Sequence, residues 1–566
     1  MYRQFVHACI SYISIGVPVI LAETSNTCSK SSLSQLLPGG SNATIIEVTP
    51  VPANGTFGGG PADLEFPTND TKLPALCAVT VNVPSSENSS FNFGLFLPQA
   101  TDWNGRFISS GNGGFGGGIN WNDMGTNSHY GFASMSTDTG HISSTGDGSW
   151  ALNDPQSQAD WGYRAMHGSV SLAKELTKSY YGKSISYSYY SGCSTGGRQG
   201  LKEVQMFPED FDGVLAGAPA WWTTHLQTWT VKVGLYNLPN NGANHIPASL
   251  FPVISAEVFR QCDAQDGLAD GIISDPYGCD FYPETLLCDQ SPPPANATAP
   301  YSPPYDANSS ACLTGPQINT LYHIYNDWVE TNQTFVFPHL ALGSEAQWSV
   351  LLDTSVTNSP NSLGTSWVAN FLLSDPNWNY NNFSYSTVQL ADQINPGMAN
   401  ADDFDLTPFY KRGGKLLHYH GLSDGLIATG SSIYFYKQVL KTMIAKGMNL
   451  DDWYRFFLVP GMQHCANSVN DAPWYFAGAN QPFELGSSVY SVPGFSDPKH
   501  DILLALMAWT EEDRAPDSII ATKFANDSVE APVIRQRPLC PFPTQARYVG
   551  LGNEDDAESW ECRALY

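Results

Sequence analysis

Ser194, Asp424 and His464 are the residues of this chain whose types and neighbours suit covalent chemistry. A serine hydroxyl is a weak nucleophile at neutral pH. It needs an imidazole within hydrogen-bond reach to take its proton, and a carboxylate to orient that imidazole. Ser194 is the centre of Gly192-Cys193-Ser194-Thr195-Gly196, a G-x-S-x-G pattern. Such a pattern places serine at the tip of a tight turn between strand and helix, and its glycines let the two approach closely. Gly197 and Gly200 keep the following helix thin. In a chain with 50 glycines the pentapeptide alone can arise by chance, so its context carries the weight.

The context is favourable. Residues 186–191 alternate like a strand before the turn. Asp424, in Gly421-Leu422-Ser423-Asp424-Gly425, lies just after the strand expected at 415–419. His464, in Pro460-Gly461-Met462-Gln463-His464-Cys465, lies just after the strand expected at 454–459. The order Ser, Asp, His is the one that α/β-hydrolases use. His418 and His420 compete for the role of base, but they precede the aspartate and rank below His464. Cys193 precedes the serine and Cys465 follows the histidine. If Ser194 and His464 meet, these two sulfurs come within bridging reach.

A second loop bears on the same chemistry. After a short strand at 106–109 comes Gly111-Asn112-Gly113-Gly114-Phe115-Gly116-Gly117-Gly118. A loop of this kind turns backbone N–H groups toward a substrate oxygen. The expected oxyanion hole takes one donor from Gly113 or Gly114 and one from Thr195, the residue after the nucleophile. A flexible linker has the same composition. A phosphate loop does not fit, because no Gly-Lys-Ser/Thr follows.

Regular elements must hold these loops. Residues 161–181 read as a helix capped by Gly182, residues 211–217 as a strand, and 431–446 as a helix. Residues 91–97 form an earlier strand, and 136–141 end another apolar stretch. From about residue 222 to 399 the chain turns rich in Asn, Pro, Ser and aromatics, with a proline-rich run at 291–304. The expected organisation is α/β: a core over 23–221 and 400–566, interrupted by an inserted domain over 222–399. No internal repeat is visible.

Composition bounds the function class. The chain has 566 residues, 42% of them hydrophobic and only 14% charged, with 53 Asp and Glu against 26 Lys and Arg. A net charge of −27 argues against nucleic acid and anionic membranes as partners. Residues 1–22 read as a signal peptide, and no later run approaches the roughly 20 apolar residues of a membrane span. Of 11 cysteines, Cys9 falls in that leader, and an even number remains. Cys28 and Cys77 bracket the N-terminal segment and could close it; Cys540 and Cys562 are expected to pair; Cys262, Cys279, Cys288 and Cys312 lie in the insertion. Disulfides and nine Asn-x-Ser/Thr sequons, from Asn42 to Asn526, suit a secreted, extracellular glycoprotein.

Taken together, Gly192 to Gly200, Gly421 to Asp424 and Pro460 to Cys465 resemble the tannase/feruloyl esterase family of fungal secreted esterases. The loop 111–118 and residues 136–141 resemble it too, and the likeness spans nearly all of the mature chain. It implies an α/β-hydrolase core with a large inserted lid domain between the Ser and the Asp. It also implies hydrolysis of phenolic acid esters, feruloyl, caffeoyl or galloyl, from plant polysaccharide or tannin. Sequence does not separate a feruloyl esterase from a tannase.

The insertion carries Cys262-Asp263-Ala264-Gln265-Asp266-Gly267-Leu268-Ala269-Asp270-Gly271-Ile272. Three aspartates among glycines suit a hard cation, although the spacing departs from an EF-hand and an acidic turn reads as well. The resemblance implies a structural Ca²⁺ here, held by side chains of Asp263, Asp266 and Asp270 and by the carbonyls of Leu268 and Ile272. Trp221, Trp222, Trp229, Tyr236, Phe251 and Phe259 could stack on a phenolic ring, but aromatics of this kind are more often core. Two rivals remain: a peptidase or acyltransferase with the same triad, and a Ca²⁺-dependent carbohydrate-binding protein.

Overall fold

The structure, a computed structural model, describes residues 27–288, 311–486 and 488–564. The expected leader, the run at 291–304 and the sequons at Asn296 and Asn308 lie outside them.

One nine-stranded sheet organises the chain. Its strands are β1 (Thr44–Val51), β2 (Leu76–Ser86), β3 (Ser89–Pro98), β4 (Arg106–Ser110), β5 (Ala133–Thr137), β6 (Tyr187–Cys193), β7 (Gly213–Gly217), β8 (Lys415–Gly421) and β9 (Tyr454–Val459). In space they run β1-β2-β3-β5-β4-β6-β7-β8-β9. Pairing is antiparallel from β1 through β5 and parallel from β5 onward. The parallel strands are covered on both faces, which is why β7 reads Gly-Val-Leu-Ala-Gly and is buried throughout. In β8 the pleat separates two sets: Leu416, His418 and His420 face one way, Leu417 and Tyr419 the other.

Helices pack on both faces. The helix expected from 161 is α-helical only from α1 (Ala165–Tyr181); Asp160–Arg164 form a π-helical turn. Space explains the irregular start, since a Cβ on Gly162 would lie 1.9 Å from the Gly397 carbonyl oxygen. Gly182 caps the helix at φ 62°, as expected. Helix α2 (Thr195–Met206) leaves the elbow, and α3 (Gly430–Ile444) follows β8. Residues 218–414 connect β7 to β8, which are neighbours in the sheet, so the insertion enters and leaves at one point of the core. It builds an apolar cluster around Trp229, Phe251, Ile254, Leu321 and Trp348. Trp221, Trp229 and Phe251 are buried, so the core reading of these aromatics holds.

Five disulfides stand among the described residues: Cys28–Cys77, Cys193–Cys465, Cys262–Cys279, Cys288–Cys312 and Cys540–Cys562.

Candidate active site

The C-terminal ends of β6, β8 and β9 converge on one site. Ser194 follows β6 with φ 64° and ψ −122°, a conformation that L-residues avoid. Such strain costs on the order of 1–3 kcal/mol and persists only where surroundings enforce it. Here they do. Ser194 N–H donates to the Gly217 carbonyl at 3.0 Å, and the Ser194 carbonyl accepts from Arg198 and Ala220 N–H, each at 3.0 Å. Close packing does the rest: a Cβ on Gly197 would sit 2.2 Å from the Gly217 oxygen. Arg198, fully buried, donates to the carbonyls of Gly162 at 2.7 Å and Trp161 at 3.1 Å and lies over the Trp161 ring. Burial pulls its guanidinium down to about 9.

Asp424 and His464 stand as the sequence order requires. His464 Nδ1 meets Asp424 Oδ2 at 2.7 Å, which leaves Nε2 free to face a hydroxyl. The Cys193–Cys465 bridge, with Cα atoms 5.9 Å apart, ties the neighbours of Ser194 and His464 together. Ser194 Oγ makes no hydrogen bond among the described residues; in free enzymes the bond from nucleophile to base is often long and tightens with substrate. Asp424 is completely buried, and its Oδ1 accepts from Leu426 and Ile427 N–H at 2.8 and 2.9 Å. Burial alone would raise its carboxyl. The charge of His464 and hydrogen bonds from His420 and His464 outweigh it, and the carboxyl falls well below the usual range.

The glycine loop is rigid, not a linker. The Phe115 carbonyl accepts from His141 Nε2 at 2.9 Å, Ser143 Oγ at 2.9 Å and Trp150 Nε1 at 3.1 Å. Asn112 and Gln199 exchange hydrogen bonds that tie the loop to α2. Thr195 Oγ1 donates to the Gly114 carbonyl at 2.9 Å. One expectation is corrected. Gly113 N–H is already taken by the Glu65 carboxylate at 2.6 Å, so it is not a free oxyanion donor. Gly114 N–H and Thr195 N–H, the latter at the start of α2, have no acceptor among the described residues and remain available. Burial raises the Glu65 carboxyl well above its ordinary value, while the bonds from Gly113 and Asn112 oppose this.

Sequence reasoning missed two contributors. Glu65 lies 48 positions before Gly113, with no motif around it. Gln347, in the insertion, accepts with one Oε1 from Gly425 N–H at 2.9 Å and His464 N–H at 3.2 Å, joining the loops of acid and base. An apolar cavity of about 440 Å³, lined by Tyr277, Phe335, Tyr434 and Phe542, lies elsewhere; neither Ser194 nor His464 lines it.

The acidic loop of the insertion carries oxygen groups of the type that hard cations take, and its carboxylates already have protein donors. Asp263 accepts from Gly271 and Ile272 N–H, and Asp266 from Leu268 N–H and Ser274 Oγ. The carbonyls of Asp270 and Gly271 have protein donors, whereas those of Leu268 and Ile272 have none among the described residues. Asp270 Oδ2 pairs with Arg537 at 2.6 Å, so one of its oxygens is occupied. The three aspartates are not drawn into a tight cluster; the group of that kind among the described residues is His167, Glu203 and Asp210.

Comparison with known proteins places these features. The family model described as tannase and feruloyl esterase matches residues 77–563. A probable feruloyl esterase B-1 of Aspergillus oryzae is 35% identical over 529 residues, 92% of this chain and 90% of its own. A probable feruloyl esterase B-2 of Aspergillus terreus is 33% identical over 526 residues, 93% of this chain and 91% of its own. The crystal structure of feruloyl esterase B from Aspergillus oryzae superposes with a TM-score of 0.81 at 34% identity, covering 92% of this chain and 97% of that one. A tannin acyl hydrolase from Aspergillus niger shares the fold, with a TM-score of 0.70 at 23% identity over 95% of each chain.

Proposed function

The chain belongs to the tannase and feruloyl esterase family, and from that premise we propose that it is a secreted carboxylic ester hydrolase of phenolic acid esters, working through Ser194, His464 and Asp424. The Aspergillus oryzae and Aspergillus terreus relatives named above carry the name probable feruloyl esterase B, which favours hydroxycinnamoyl over galloyl esters. The nine-stranded sheet supports an α/β-hydrolase core, on which residues 222–399 would act as a lid. The observation that supports the reading is a strained Ser194 and an Asp424-bound His464 whose neighbours Cys193 and Cys465 are joined by a disulfide.

His464 Nε2 takes the proton of Ser194, whose Oγ attacks the ester carbonyl. Thr195 and Gly114 N–H groups hold the oxyanion, and the rigid loop keeps them aimed before charge develops. The C–O bond of the ester breaks, and the alcohol leaves with the proton from His464. Water, deprotonated by His464, then opens the acyl-enzyme and frees the acid and Ser194. Asp424 stays ionised and orients the ring. A structural Ca²⁺ would be held by Asp263, Asp266 and Asp270 with the carbonyls of Leu268 and Ile272, bracing the insertion.

A panel of methyl ferulate, methyl caffeate, chlorogenic acid, methyl gallate, a peptide amide and a short aliphatic ester tests this. Hydroxycinnamate release that Ser194→Ala lowers by about 10⁴-fold or more is the expected result. Turnover by the variant equal to the parent sinks the reading. Preference for methyl gallate makes the enzyme a tannase instead. In the same preparation a chelator is expected to lower the melting temperature and Ca²⁺ to restore it; no change in either direction removes the cation.

A further inference from the structure

Behind the triad lies a run of buried polar groups that the reaction above does not use. His418 and His420 point from one face of β8 toward α3, and with Ser432, Tyr454 and Asp424 they are 0–1% exposed. His420 Nε2 sits 3.0 Å from Asp424 Oδ2 and 3.0 Å from the Ile427 carbonyl. Both neighbours are acceptors only, so Nε2 carries the proton. Nδ1 is then the acceptor, and Ser432 Oγ lies 2.7 Å from it. Ser432 uses its single proton there, so the contact of Ser432 Oγ with His418 Nε2 at 2.9 Å has the histidine as donor. His418 Nδ1 must then accept, and Tyr454 O–H stands 2.8 Å away. Burial lowers His418 and raises Tyr454, so the ring is neutral and the phenol keeps its proton. With a neutral His420 ring each contact takes one direction, and every donor then points along the chain toward Asp424.

We propose that His420 is a positioning residue of the triad, held by Ser432, His418 and Tyr454 so that its Nε2–H fixes the same Asp424 oxygen that His464 uses. The carboxylate is thereby saturated: two backbone N–H groups on Oδ1 and two imidazoles on Oδ2. It cannot rotate away when His464 becomes charged. The donor from His420 also draws negative charge from Oδ2, the oxygen that faces His464 Nδ1. The other titratable groups facing this chain are Tyr277 from the insertion, which feels the charge of Asp424, and Tyr436 from α3, beside Tyr454. Neither bonds to Asp424. The inference rests on the acyl-enzyme reading above.

The test is the pH dependence of kcat/KM on the best ester for His420→Phe, His420→Gln, Ser432→Ala and Tyr454→Phe, with Ser194→Ala alongside. Phe removes the donor and keeps a ring; Gln offers an N–H toward Asp424 and an oxygen toward Ser432. His420→Phe is expected to lower kcat about tenfold with KM little changed, the worth of one hydrogen bond to a charged group. Its acid limb is expected to move to higher pH, because the carboxylate then keeps its full negative charge. His420→Gln should recover most of both, and Ser432→Ala and Tyr454→Phe should show the same shift in diminishing size. If His420→Phe does not fold, the Ser432→Ala and Tyr454→Phe profiles decide. Parental kcat and an unmoved acid limb in the variants that fold overturn the inference while Ser194→Ala is inactive. Turnover by Ser194→Ala overturns the acyl-enzyme reading and this inference with it.

Discussion

The two halves of the site are built by different physics. Ser194 is held by backbone: a positive φ, three main-chain hydrogen bonds and helix–strand contacts so tight that no side chain fits at Gly197. Asp424 and His464 are held by side chains: Gln347 across their loops, His420 behind the carboxylate, and the ring pair itself. The backbone partners of Ser194 come from its own helix and from the end of the next strand, at Gly217 and Ala220. Side-chain enforcement needs partners that only packing delivers. Ser194 therefore has little freedom, whereas Asp424 and His464 form an assembly that can be loosened one contact at a time.

Three changes probe that contrast. Removing the link between the halves should have the largest effect. Cys193→Ser with Cys465→Ser, read by denaturant unfolding and ester turnover, is expected to cost about 2–4 kcal/mol, because the bridge closes a long loop. Turnover should fall with it, as serine and histidine lose their common tether; full activity with lost stability would make the bridge a staple only. Next, Gly197→Ala attacks the backbone half. Its Cβ would meet the Gly217 oxygen and the Pro219 backbone, neither at the end of a flexible side chain. About 1–3 kcal/mol of destabilisation is expected from overpacking, together with a loss of kcat as the elbow shifts. An unchanged melting temperature would show the elbow more yielding than drawn here. The smallest change is Gln347→Ala, which leaves Gly425 and His464 N–H without their acceptor. A loss of about 1 kcal/mol, seen as a severalfold fall in kcat at constant KM, is expected. A change in KM alone would assign Gln347 to substrate binding.

The contrast also explains what could be read in advance. The strand before Ser194, the αL cap at Gly182 and the strand at 454–459 follow from periodicity and turn residues, which act over a few positions. The Cys193–Cys465 pairing was legible because each cysteine adjoins a residue that chemistry brings together. The role given to Gly113 failed for the opposite reason. Nothing near Glu65 announces that its carboxylate enters the glycine loop. His418 and His420 stood out as histidines, but their directions became visible only with Ser432 and Tyr454 on two other elements.

By itself the sequence determined the likeness to a known family, the chain order of Ser194, Asp424 and His464, and the strands and turns that carry them. Those depend on steric rules between near neighbours and on an order fixed along the chain. Only the tertiary structure decided which N–H of the glycine loop the Glu65 carboxyl takes and which glutamine joins the loops of Asp424 and His464. Those depend on hydrogen bonds across gaps of 48, 78 and 117 positions, where geometry, not adjacency, selects the partner.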